Sequence, residues 1–208
     1  MLDQIVPVPA LIPSGDEVSA PPQTGSMTTA LLVIDAQESF RQPESWAEIS
    51  APDIADRIAT LVEHARGRGD EVVWVLHEEP GNGSVFDPDL GYVALLTGLS
   101  PADREVGVRK RSHNAFTTTN LAQHLTSRGV TEVVVTGIRT EQCCETTARV
   151  ASDMGYAVRF VLDATATHPL DRWDGAGTMT AHEVMDRTAS ALQGRFAEVV
   201  TIEQVLAS

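Results

Sequence analysis

Residues 133–154 read VVVTGIRTEQCCETTARVASDM, and the change of pattern within this stretch predicts a strand that hands over to a helix. Val133 to Thr136 form a β-branched run closed by Gly137, too short for a membrane span and suited to a buried strand. After a turn, Thr140 can cap a helix with its hydroxyl, and Glu141 puts negative charge near the positive end of the helix dipole. Cys144, Ala148 and Ala151 recur at helical spacing, and Gly155 supplies a left-handed stop. Cys143 then sits in the first turn of a helix that follows a buried strand. Free backbone N–H groups at such a position stabilise an anion, so they would lower a thiol's pKa and could hold an oxyanion. An inert buried cysteine fits the same place equally well.

Outward from this unit, strand and helix patterns alternate. Thr29 opens a first strand, ALLVI, that ends in Asp35. A helix is expected from Asp53 to Arg68, with Ile54, Ile58, Leu61, Val62 and Ala65 on one stripe. The second strand, Glu71 to Leu76, delivers His77-Glu78-Glu79-Pro80. Residues 81–105 are a long Gly- and Pro-punctuated connection of the kind that shapes a substrate mouth. A short third strand, Val106 to Arg109, leads into Lys110. One of the neighbouring cations Arg109, Lys110 and Arg111 can point inward. A helix from Thr118 to Arg128 precedes the Val133 strand. A fifth strand (Tyr156 to Leu162) leads to His168, a candidate pocket-wall residue. A helix from Thr178 to Leu192, a sixth strand (Phe196 to Ile202) and a short helix (Glu203 to Ala207) complete the order.

Such alternation implies right-handed crossovers and a parallel sheet covered by helices on both faces, a three-layer α/β/α domain over residues 27–208. Asp35, Lys110 and the turn before Cys143 then lie on one rim, beyond the carboxyl ends of the strands, where open sheets bind ligands. A G-x-G-x-x-G turn after the first strand and a Walker loop are absent, so dinucleotide or ATP use is unsupported. His77 and Glu79 have no further histidine at a zinc-like spacing. No cofactor and no metal are expected.

Composition narrows the partners. A formal net charge of -14 argues against nucleic acid and anionic membranes. Hydrophobic content of 42% and charged content of 21% are those of a soluble globule, and no apolar run spans a membrane. The first residues lack the basic and apolar pattern of a secretory signal, and the only cysteines are adjacent, so a cytoplasmic setting is expected. Residues 1–26, rich in Pro, Gly and Ser, are expected to form an extended arm.

Three separated segments carry a resemblance that covers roughly Thr29 to Leu206. ALLVIDAQESF (30–40), VRKRSHNAFTTTNL (108–121) and TGIRTEQCCETTARVASDMGY (136–156) resemble, in order, the motifs of the isochorismatase-like cysteine hydrolases, which include nicotinamidase and N-carbamoylsarcosine amidase. The resemblance implies a Rossmann-like fold with a six-stranded parallel sheet, a homo-oligomer, and a catalytic set of Asp35, Lys110 and Cys143. It further implies a cis peptide before Arg139 and an oxyanion hole from the backbone N–H groups of Arg139 and Cys143. Cys143 would act as a thiolate favoured by Lys110 and its helix start, and Asp35 would shuttle the proton.

Departures from the family pattern bear on the substrate. Asn114 stands where Ser is usual, and Cys144 where the family is usually apolar. Nicotinamidases carry an Asp-x-His pair and a second His that bind a metal; His77 and Glu79 occupy the matching positions, which argues against that activity. Arg139 replaces a small residue; it either reaches toward a substrate carboxylate or bridges to Glu141 or Glu145. Phe40, His77, Glu79 and Arg139 are the expected substrate-binding residues. The expected activity is hydrolysis of a C–N bond (amide, ureido or carbamoyl) in a small molecule. A vinyl-ether hydrolase of the same fold, in which the nucleophilic cysteine is lacking, and a thiol sensor using Cys143-Cys144 are the alternatives.

Overall fold

A computed structural model describes residues 28–208, and the arm expected over 1–26 lies outside them. Strand β1 (Thr28–Ile34) has six of its seven residues buried, the pattern of a strand covered on both faces. Helix α1 (Ile54–Arg68) leads from it to β2 (Glu71–His77), and a long connection reaches β3 (Val106–Lys110). Helix α2 (Leu121–Ser127) precedes β4 (Val130–Ile138), and α3 (Glu145–Asp153) precedes β5 (Ala157–Ala166). The short strands β6 (Leu170–Asp171) and β7 (Thr178–Met179), helix α4 (Ala181–Leu192), strand β8 (Glu198–Val200) and helix α5 (Ile202–Leu206) complete the chain.

The six-stranded sheet runs β3-β2-β1-β4-β5-β8, and every pairing in it is parallel. One face packs against α1 and α5 through Ile54, Ile58, Leu61 and Val205. The other packs against α2, α3 and α4 through Leu121, Leu125, Ala148, Ala151 and Leu192. The expected three-layer arrangement is therefore present. Strand order reverses between β1 and β4, so the crevice beyond their carboxyl ends is the natural ligand site. At this point the two backbones press together: a Cβ on Gly137 (φ 133°) would lie 1.8 Å from the carbonyl oxygen of Ile34. Only glycine fits there.

Several boundaries differ from the sequence expectation, each for a local reason. Strand β5 continues to Ala166 because its ladder with β4 resumes after an irregularity, with Gly137 opposite Thr165. Helix α4 starts at Ala181, not Thr178, because Thr180 and Glu183 form a capping box and Thr178 pairs with Asp171 in the β6–β7 hairpin. Strand β8 is shorter than expected, since Phe196 and Ala197 turn back onto Leu192 and Thr201 caps α5. Helix α2 begins only at Leu121, where the Thr119 hydroxyl takes its first N–H. Among the described residues, no helix is long and apolar enough to cross a membrane.

Candidate active site

The three sequence-marked groups converge at the carboxyl edge of the sheet. Asp35 follows β1 with a left-handed backbone (φ 48°), which aspartate tolerates better than most residues. Lys110 is the last residue of β3. Side chains alternate along a strand, so Arg109 and Arg111 face outward, where both hold Glu78, at 3.4 and 2.9 Å respectively. Lys110 between them turns inward and is completely buried. Its ammonium lies 2.7 Å from Asp35 Oδ2, a charge contact outside hydrogen-bonding direction. It donates to the Ser112 carbonyl (3.1 Å) and to Cys143 Sγ (3.4 Å), and lies 3.4 Å from His77 Nδ1. Asp35 Oδ1 has no hydrogen-bond partner among the described residues.

The turn that delivers Cys143 is wider than the capped helix start expected from sequence. Residues Thr140–Cys144 form a π-type turn, in which the Cys144 N–H donates to the Arg139 carbonyl five residues back (3.1 Å). Thr140 does not cap it; its hydroxyl donates to Thr165 Oγ1 at 2.9 Å and ties the turn to β5. The Ile138–Arg139 peptide is cis, as the resemblance implied. Cys143 and Cys144 are both free and buried, and only Cys143 borders the cleft.

The electrostatics of Cys143 and Asp35 work against one expectation. Burial first, then the negative charge of Asp35, pushes the Cys143 thiol up to about 12, against the opposing effect of Lys110. Burial thus favours the protonated sulfur over the thiolate expected from the turn and from Lys110. Burial also raises Asp35 above the ordinary carboxylate range, although Lys110 opposes it. A buried carboxylate of raised basicity beside a thiol can take up a proton from it.

These groups border a cavity of about 290 Å³, near the small end of the range for small-molecule sites. Asp35 and Cys143 line it together with Phe40, His77, Glu79 and Arg139. Phe86 packs edge-on against Phe40 and His77, with ring centroids 5.2 and 5.5 Å apart. His168, expected at the pocket wall, is not part of the lining; it is buried, with both ring nitrogens unpartnered among the described residues. Burial, then the Arg139 charge, pushes its pKa down to about 4. The alternative bridge from Arg139 to Glu141 or Glu145 is not made. Glu145 binds Arg149 and Arg187, and Glu141 accepts from the Thr167 hydroxyl.

Comparison with known proteins bears directly on this arrangement. Residues 29–204 match the model of the isochorismatase domain. The chain belongs to the isochorismatase family. An isochorismatase family protein of Bacillus subtilis, YddQ, is 34% identical over 181 residues, covering 86% of this chain and 99% of that protein. A streptothricin hydrolase of Streptomyces noursei is 34% identical over 171 residues, covering 81% of this chain and 58% of its own length. The crystal structure of a cysteine hydrolase from Pseudomonas syringae pv. phaseolicola superposes with a TM-score of 0.76 at 28% identity, covering 86% of this chain and 91% of the other.

As an isochorismatase-family site it has distinctive furniture. His77 Nε2 and Glu79 Oε1 are 3.1 Å apart and satisfy each other, and Asn82 and Ser84 also bond Glu79. Among the described residues, no group of three or more His, Cys, Asp or Glu side chains is placed to hold a metal ion. The nicotinamidase-type metal therefore does not fit these residues. Sequence reading passed over Phe86, His113 and Gln142, which also line the cavity. It also passed over Gln37, which is buried and clamps the His77 backbone: Gln37 Oε1 accepts from its N–H (2.8 Å) and Nε2 donates to its carbonyl (3.1 Å). A polar residue two positions beyond a strand-ending acid was the available signal for Gln37. For Phe86 the signal was an aromatic inside the long 81–105 connection.

Proposed function

We propose that this protein is a cysteine hydrolase that cleaves a C–N bond of a small molecule through a Cys143 thioester. The observation that supports it is the meeting of one sulfur and one carboxylate on the lining of a single small cavity, with a buried ammonium within 2.7 Å of the carboxylate and 3.4 Å of the sulfur. In the proposed cycle Cys143 Sγ attacks the carbonyl carbon as its proton passes to Asp35. The backbone N–H groups of Arg139 and Cys143 are proposed to receive the oxyanion. Collapse breaks the C–N bond, and Asp35 gives its proton to the departing amine, leaving an acyl thioester. Water then attacks that thioester while Asp35 takes its proton, and collapse returns the proton to sulfur with release of the acid. Lys110 compensates the carboxylate when it is charged and positions it beside the sulfur.

The names of the streptothricin hydrolase and the cysteine hydrolase among the similar proteins support hydrolysis of a small molecule by cysteine. A homo-oligomer in the cytoplasm is the expected setting. Incubation with a panel of small amides, ureas and carbamoyl compounds should release ammonia, and mass spectrometry of a quenched reaction should find the acyl group on Cys143. Cys143→Ala should abolish turnover with the fold intact, while Cys144→Ala should leave it nearly unchanged. Full activity in Cys143→Ala would sink the proposal.

A further inference from the structure

Of the acidic or basic side chains Asp35, Glu79 and Arg139 that line the cavity, one has neither an ion-pair nor a hydrogen-bond partner among the described residues. Asp35 is met by Lys110 at 2.7 Å. Glu79 is met by His77, Asn82 and Ser84. Arg139 borders the same space, and among the described residues it forms no ion pair: Glu145 is held by Arg149 and Arg187, and Glu141, bonded through one oxygen to the Thr167 hydroxyl, leaves its other oxygen unpartnered without meeting Arg139. A guanidinium is always charged and presents a planar fork of donors that matches a carboxylate. Holding one beside a cleft without a partner leaves a binding opportunity that a protein chain of net charge -14 has had ample carboxylates to close. Its field is felt locally, since it contributes to the lowered pKa of His168.

Resting on the cysteine-hydrolase reading above, we infer that Arg139 receives a carboxylate of the substrate, so that the molecule cleaved at Cys143 is a small monoanionic amide. One unpaired cation matches one negative charge. A dianion such as a phosphate ester would bring a second charge into a space already bordered by Asp35 and Glu79. The remaining lining includes His113 and Gln142, but the edge-on pair of Phe40 and Phe86 offers an apolar surface to the body between the two polar ends. The cleavable carbonyl faces sulfur, the carboxylate faces the guanidinium, and a short apolar spacer lies on the phenyl rings.

The test uses a series of dicarboxylic monoamides, from malonamate and succinamate to 3-carbamoylbenzoate, each against its neutral diamide. For the best member, kcat/KM should exceed that of its diamide by about 10- to 100-fold, the range for a hydrogen bond to a charged group. Arg139→Met should bring that ratio close to one, and Arg139→Lys should recover part of it. Equal turnover of both members throughout the series, or a ratio that survives Arg139→Met, overturns the inference while leaving the hydrolase reading intact. Equilibrium binding to the Cys143→Ala protein separates the two ideas. A preference there for the monoamide that Arg139→Met abolishes, with no amide turned over by the unaltered protein, supports the carboxylate site and counts against the hydrolase. Equal binding of every pair overturns the site.

Discussion

Replacing Lys110 by methionine removes the ammonium and keeps most of the side-chain volume, leaving Asp35 wholly buried without a counter-charge. At the observed 2.7 Å, with an effective dielectric constant of about 20, the direct attraction is about 6 kcal/mol. Part of this is offset by the desolvation of both ions, so the expected cost of breaking the pair is about 3–5 kcal/mol. That is a large fraction of the ~5–15 kcal/mol by which a domain is usually stable. The cost should depend on pH in a defined direction. Without Lys110 the Asp35 pKa rises further above its unfolded value, so the folded variant keeps its proton at low pH and must give it up as pH rises. Stability relative to the unaltered protein is thus best at low pH and falls by up to about 1.4 kcal/mol per unit as pH rises toward the carboxyl's folded pKa. Urea unfolding at pH 5 and pH 8 measures both the size and the slope. Adding Asp35→Asn should restore most of the loss at pH 8. A loss under 1 kcal/mol, the same loss at both pH values, or no rescue by Asp35→Asn would refute the claim that the two groups form a compensated buried pair.

Three further outcomes are expected. Gly137→Ala should prevent folding or cost more than about 4 kcal/mol, because the added methyl has only 1.8 Å to the Ile34 carbonyl; far-UV circular dichroism and a denaturant midpoint would show this. Because the Cys143 thiol is raised from 9.0 to about 12, the folded state holds that proton longer than the unfolded chain does. Between those values the unaltered protein should therefore lose stability with rising pH by up to about 1.4 kcal/mol per unit more than Cys143→Ala, and parallel pH–stability curves would contradict the assignment. Gln37→Leu unpairs the N–H and carbonyl of His77 and should destabilise by about 1–3 kcal/mol in urea unfolding, whereas a neutral result would dismiss Gln37 as a splint.

The core strands were legible because β1, β2 and β4 are covered on both faces and read as continuous apolar runs, whereas their order in the sheet was not. Asp35, Lys110 and Cys143 were legible for a related reason: each stands at or just beyond the carboxyl end of a strand, and parallel strands bring those ends together. What stayed hidden depends on contacts distant in sequence. The thiol's pKa is set by burial and by Asp35, more than 100 residues away, which the local helix start cannot report. Likewise the extension of β5 depends on where its ladder with β4 resumes, and the start of α4 on a strand pairing between Thr178 and Asp171. The role of Gln37 depends on the main chain of His77, 40 residues later.

Where Gly137 rests on Ile34, peptide units of two strands touch with nothing soft interposed. The strand ends that carry Asp35 and the Cys143 turn are therefore held together by backbone contact, with no side chain between them to exchange. Variation in the cavity must then accumulate elsewhere, in the 81–105 connection that supplies Phe86 and in the Arg139 side chain, where exchange leaves the two strands in place. A directed-evolution campaign aimed at a new substrate would do well to randomise that connection and leave the glycine alone.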